Sequence, residues 1–194
     1  MGGKWNRWVT PSRDKIDGKT IVRKEYNQWA SMFNRAKGQK YYEEVGISEM
    51  FKSYDLWCEW AKEQKGFLNT EYNGKIWSID KDILGDGTIY SEDVCVFVPT
   101  EINNLVKGSG KTNLPTGVVK DESNKSNPFS AKLNYLGVSF NGGVYDNVER
   151  AHRVYLKFRK EMVKDIIEIY GDSVDERVYV KLLETCEPEY YGYT

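Results

Sequence analysis

The spacing of apolar positions changes along the chain, and each spacing predicts an element. Tyr26, Trp29, Ala30 and Phe33 recur at i, i+3, i+4 and i+7, which predicts a helix over Glu25 to Ala36, stopped at Lys37-Gly38. Phe51, Tyr54, Trp57 and Trp60 repeat every third residue after Ile47, so a second helix with a buried aromatic stripe is expected to begin after Ser48. From Ile76 the period shortens. Ile76, Trp77, Ile79 and Ile83 surround the acidic Asp80-Lys81-Asp82 in one strand, and Gly85-Asp86-Gly87 has turn chemistry. Val94, Val96 and Val98 alternate with Cys95 and Phe97 in a short strand buried on both faces. Pro99 ends it, and Thr100 is placed to cap a short helix, Glu101 to Val106, that carries Asn103 and Asn104.

Residues 107–115 have linker composition. They include Gly108-Ser109-Gly110-Lys111-Thr112, but the glycine that a phosphate-binding loop needs ahead of Gly110 falls on Leu105, and the stretch follows a helix. No nucleotide is expected there. Gly117 to Lys120 reads as a strand and Asp121 to Pro128 as a turn. Phe129, Ala131, Leu133 and Tyr135 then alternate with Ser130, Lys132 and Asn134 in a half-buried antiparallel strand. Val138 to Phe140 is a third strand, turned by Asn141-Gly142-Gly143. Asp146 with Glu149 suggests a capping box for a helix over roughly 147–169, with the stripe Ala151, Tyr155, Phe158, Met162, Ile166 and Ile169. His152, beside that stripe, is expected as a surface or boundary residue. Ser173 with Glu176 caps a last helix, with Val174, Val178 and Leu182 on one face, and the EPEYYGYT tail is expected to fray.

Charge is segregated. The net charge is only −1, but residues 1–40 hold ten Lys/Arg against three Asp/Glu, and residues 41–100 hold five against twelve. Trp5 and Trp8 stand among Lys4, Arg7, Arg13, Lys15, Lys19, Arg23 and Lys24, so residues 1–24 suit a basic arm that lies on a polyanion. Cys58, Cys95 and Cys186 form no CxxC pair, so no zinc site is expected and a reducing cytoplasm is. No apolar run approaches the roughly 20 residues of a membrane helix.

YSEDVCVFVPTEINNL, with the aromatic series Tyr26, Trp29, Met32, Ile47, Phe51, Tyr54, Trp57 and Trp60 ahead of it, resembles HNH-type nucleases of phages and mobile elements. The resemblance covers about 80 residues. It implies a ββα element that grips Mg²⁺ or a similar divalent ion for DNA cleavage. Carried over, Asp80 or Asp82 with Asn103 or Asn104 are the metal-ligand candidates, and Asp80, Lys81, Asp82 and Asn103 are the catalytic candidates. The family's strand histidine and central asparagine are missing, Val94 standing at the latter position. Lys81 is therefore expected to give electrostatic support while the ion activates water.

GVVK…FSAKL…GGVYDNVERAHRVY is similar to the Apetala-two/ERF-type DNA-binding domain, through Gly117, Val118, Ala131, Leu133, Gly143, Tyr145, Glu149, Ala151 and Tyr155. That resemblance implies a three-stranded sheet laid in the major groove and backed by a helix. Lys120, Ser130, Lys132 and Asn134, with Lys125 in the turn, are the DNA-contact candidates, joined by Arg7, Arg13 and Arg23 of the arm. Lysine donates to guanine and phosphate, and asparagine pairs with adenine.

The expectation is an α+β chain: arm 1–24, HNH-like module 25–106, linker 107–115, and Apetala-two/ERF-like module 116–194 with an extra helix. It would bind double-stranded DNA and cut it with a divalent metal, without a membrane role. The alternative is an inactive DNA-binding protein on the same scaffold, such as a phage regulator or host-defence antagonist, which leaves room for a protein partner. An aromatic protein-interaction module is a third class.

Overall fold

The computed structural model describes residues 10–37, 45–106, 113–135 and 138–193. The chain is α+β and forms two compact units, the first running through Asn103 and including Ser173–Asp175, the second holding Asn104–Asp172 and the residues from Glu176 onward. Of the 107–115 stretch, residues 107–112, with the Gly-Lys-Thr sequence, lie outside the described residues.

The described part of the first unit opens with a hairpin where an arm was expected. Strands β1 (Arg13–Ile16) and β2 (Lys19–Val22) pair through Asp17 and Gly18 at φ 49 and 74. Both values are left-handed, as the tight two-residue turn favoured by Asp-Gly requires. Helix α1 (Lys24–Ala36) follows, then β3 (Gly46–Ile47), α2 (Glu49–Lys52) and α3 (Tyr54–Lys62). The single second helix is thus broken at Ser53, which is extended (φ −87, ψ 121) and accepts the Leu56 N–H at 3.4 Å through its hydroxyl. A stripe repeating every third residue drifts off the 3.6-residue turn, and the break re-aims it. Tyr54, Trp57, Cys58 and Ala61 are all buried along α3, while Trp60 stays at the rim.

Strands β4 (Ser78–Asp80) and β6 (Val96–Val98) pair antiparallel, Ser78 opposite Val98 and Asp80 opposite Val96. Strand β5 (Ile89–Tyr90) pairs in parallel with β3. Helix α4 (Thr100–Val106) begins at Thr100 itself. Its first N–H is accepted at 2.8 Å by Glu71, far upstream, and Lys75 donates to the Thr100 hydroxyl at 2.7 Å. The cap is therefore tertiary, not the local threonine cap expected. Met32, Phe51, Tyr54, Trp57, Ile79, Cys95 and Phe97 form the core, each large side chain worth about 1.5–3 kcal/mol on burial. Across α1, Gln28 donates to the Trp77 carbonyl at 2.7 Å and Arg35 to the Ile79 carbonyl at 3.3 Å, so polar side chains cover the outer edge of β4. All six tryptophans fall at or before Trp77.

The second unit holds an antiparallel sheet in the order β7 (Val118–Lys120), β8 (Phe129–Tyr135), β9 (Val138–Tyr145), with helix α5 (Val148–Tyr170) packed on it. Asn141-Gly142-Gly143 does not end the third strand. It forms a bulge within β9, where the register moves from Ser130↔Val144 to Lys132↔Asn141. The Tyr145 hydroxyl donates back to the Gly142 carbonyl at 2.6 Å and holds the kink. Gly117, at φ 81, lies so close under Tyr155 that a β-carbon would meet the ring at 2.0 Å.

The N-cap of α5 is Asn147, whose side chain accepts the Arg150 N–H at 2.9 Å; Asp146 pairs instead with the Arg150 guanidinium at 3.2 Å. The predicted stripe is buried at Ala151, Tyr155, Met162 and Ile166, but Ile169 is 61% exposed. His152, Leu156, Arg159 and Val163 are buried beside that stripe because α6 (Glu176–Glu184) and the C-terminal tyrosines cover a second face. Val174, Val178 and Leu182 are buried as expected. The tail is not frayed as far as Tyr193. A 3-10 turn, Pro188–Tyr191, brings the Tyr193 hydroxyl to 3.0 Å from Nδ1 of His152, which is fully buried rather than at a boundary.

Candidate nucleic-acid interface and acidic turn

Asp80 ends β4 with its side chain turned inward, 6% exposed. Its Oδ1 accepts the N–H groups of Asp82 at 2.8 Å and Ile83 at 2.9 Å. A short carboxylate two and three residues ahead of unpaired amides caps a turn. Burial pushes the Asp80 carboxyl above its ordinary range, against the pull of those two amides. Lys81 is also buried; its ammonium pairs with Asp82 and lies 5.5 Å from the Tyr90 ring centre. Asp82 alone of the three presents its carboxylate to solvent.

Asn103 is half-buried and Asn104 exposed on α4. Helix α4 follows the Ser78↔Val98 end of the hairpin, while Asp80 sits at the Val96 end. No hydrogen bond or ion pair among the described residues joins either asparagine to the acidic turn. No group of three or more His, Cys, Asp or Glu side chains converges among the described residues. The predicted ligands are thus engaged separately: Asp80 with backbone amides, Asp82 with Lys81, and the asparagines on their helix.

The outward face of the sheet is differently built. On β8, Lys132 and Asn134 are exposed, and the register sets them opposite Asn141 and Ser139 of β9, also exposed. The Ser139 hydroxyl donates to Asn134 Oδ1 at 2.6 Å, which fixes the amide plane and leaves its NH₂ pointing away. The face carries donors and acceptors on lysine, amide and hydroxyl groups with no carboxylate among these four positions. Ser130 is a correction. It is 8% exposed, held between Val119 and Val144, and its hydroxyl donates to the Val119 carbonyl at 3.4 Å. Lys120 is exposed but pairs with Glu122 at 3.3 Å, and Lys125 is exposed in the 121–128 turn. A strand that ends at Phe140 leaves Asn141 off this face, and Ser139, inside that strand, is brought to it only by its pairing with Asn134. The alternation of Ser139, Phe140 and Asn141 was the available signal.

In the hairpin, Arg13 is exposed, whereas Arg23 is committed to Asp14, with Nε at 2.9 Å and NH2 at 2.7 Å. Arg7 lies outside the described residues. Cys58, Cys95 and Cys186 are buried free thiols, and burial pushes Cys95 up to about 12. No helix among the described residues is long and apolar enough to cross a membrane. No family model matches the chain, and neither curated proteins nor solved structures match it.

Proposed function

We propose that the chain binds double-stranded DNA in a sequence-dependent way through the outward face of β7–β9, the arrangement implied by the Apetala-two/ERF resemblance. The observation that carries this reading is the carboxylate-free row of Lys132, Asn134, Asn141 and Ser139, spaced by the register of two paired strands. Lysine suits guanine O6/N7 or phosphate, and an oriented asparagine suits adenine.

Metal-dependent strand cleavage is the second reading, favoured by the antiparallel pair β4–β6 running into α4, the ββα order of the HNH-type resemblance, with β5 in the connection between the two strands. Asp82 would present the first oxygen to Mg²⁺. Asp80 would have to release its two amides, and Asn103 or Asn104 would join from α4. The buried state of Asp80 favours the inactive DNA-binding alternative.

The test is binding to a library of double-stranded DNA over a salt series, with Lys132→Ala/Asn134→Ala, and with Asp80→Ala/Asp82→Ala in Mg²⁺ or Mn²⁺. Expected are salt-dependent binding by the wild type and a loss of sequence preference of about five-fold or more in the sheet variant. A flat salt response, or a sheet variant with unchanged preference, would refute the binding reading. Cutting by the wild type alone would establish the nuclease.

A further inference from the structure

The hairpin β1–β2 stands apart from the cores. Its base is fixed, because the Thr10 N–H donates to Asp55 at 2.7 Å and the Tyr54 hydroxyl donates to the Pro11 carbonyl at 3.5 Å. Beyond the base, Arg13, Lys15, Ile16, Lys19, Thr20 and Ile21 are all exposed, so both faces of the ribbon meet solvent, and only Asp14 and Val22 are half-buried. A free two-stranded ribbon is marginal in water. This one is held by its Asp17-Gly18 turn and by the two-point Arg23–Asp14 pair.

The register sorts the side chains by face. Arg13 opposite Val22 and Lys15 opposite Thr20 lie on one side; Asp14 opposite Ile21 and Ile16 opposite Lys19 lie on the other. Asp14, the one carboxylate within the two strands, thus shares its face with Lys19 and not with Arg13 and Lys15. Asp14 is neutralised on its own side by Arg23, and the first face keeps two cations and a hydroxyl with no acidic residue. Arg13 and Lys15 have no side-chain partner among the described residues. The major groove of DNA is wide enough for a two-stranded ribbon, and arginine and lysine there meet guanine O6 and N7.

We propose that this hairpin is a second DNA-reading element, a β-ribbon whose Arg13/Lys15/Thr20 face enters the major groove and contacts bases. The chain then reads two blocks of sequence, one with the ribbon and one with the sheet β7–β9. This inference rests on the DNA-binding reading above. It differs from a basic arm lying on phosphates, because it assigns base preference to the first unit.

The test is selection from a random double-stranded library by the full chain, by Arg13→Ala/Lys15→Ala/Thr20→Ala, and by Lys132→Ala/Asn134→Ala, each checked for a wild-type circular dichroism melt. The wild type should recover two blocks of preferred bases. The ribbon variant should lose one block and keep the other, with discrimination at the lost guanine positions falling about 5- to 150-fold. The sheet variant should show the converse. If the ribbon variant keeps both blocks and only weakens uniformly, with a salt slope shallower by about 1 per lost contact, the ribbon touches phosphates alone and the proposal is wrong. A concentration-dependent dimer that the ribbon variant abolishes, with both blocks retained, would assign the face to a second copy. Absence of salt-dependent binding by the wild type would overturn the DNA-binding reading itself, and this inference with it.

Discussion

Replacing Asp80 separates its role as a turn cap from its charge. Asp80→Ala removes the acceptor for two backbone N–H groups, those of Asp82 and Ile83. Ile83 is 1% exposed, so water does not replace the lost oxygen there. A buried donor left unmade costs about 1–3 kcal/mol, and the better-solvated Asp82 amide adds about 0.5. Removing the carboxylate also returns the desolvation cost that holds Asp80 above the usual carboxylate range, which offsets part of the loss. The expected net change is a destabilisation of about 2 kcal/mol at pH 7. Asp80→Asn keeps an acceptor oxygen at the same place without the charge, so it should be at least as stable as the wild type at neutral pH.

The sign with pH follows from the raised value. Folding favours the protonated carboxyl, and that contribution is full below the ordinary aspartate value and lost as pH rises through the folded-state value. The margin of Asp80→Asn over the wild type should therefore widen as pH rises from the ordinary aspartate value through the folded-state value. Urea unfolding followed by tryptophan fluorescence is the assay, because every described tryptophan belongs to the first unit. With an m value of about 2 kcal/mol/M, Asp80→Ala should lower the midpoint by about 1 M. An unchanged midpoint in Asp80→Ala, or an equal fall in Asp80→Asn, would refute the capping argument.

Two further outcomes concern the second unit. Burial and the nearby Arg159 push His152 down to about 4, so the unfolded chain takes the proton first as pH falls. Stability should be full above about 6.5 and decline by about 3 kcal/mol towards pH 4, read by circular dichroism melts; the decline should flatten in His152→Gln. Gly117→Ala forces a β-carbon into the Tyr155 ring at a positive φ and should cost about 3 kcal/mol or more, seen as a fall of several degrees in the helix melting temperature.

Local periodicity made much of the fold legible. The α1 stripe, the alternation along β8 and the α5 stripe all announce themselves in spacing, because each element must bury one face. What could not be read was long-range or ambiguous. The α4 cap comes from Glu71, and no local pattern names a partner so far upstream. Asp80 followed by two amides looks the same in sequence whether the carboxylate faces an ion or its own backbone; the hydrogen bonds to Asp82 and Ile83 come only with the fold. Ser130 alternates correctly, but its neighbours Val119 and Val144 overhang it. The hairpin was readable from Asp17-Gly18, yet the run of cations around it suggested an arm.

Gln28 and Arg35 of α1 occupy the carbonyls of Trp77 and Ile79 along the outer edge of β4, a strand with one neighbour among the described residues. An uncovered strand edge is a template on which another chain can add. Helix α1 is therefore a guard against self-association as well as a wall of the core. Damage to it, by a proline or by mild heating, should show first as sheet-rich aggregation seeded at Ser78–Asp80, before the aromatic core has come apart.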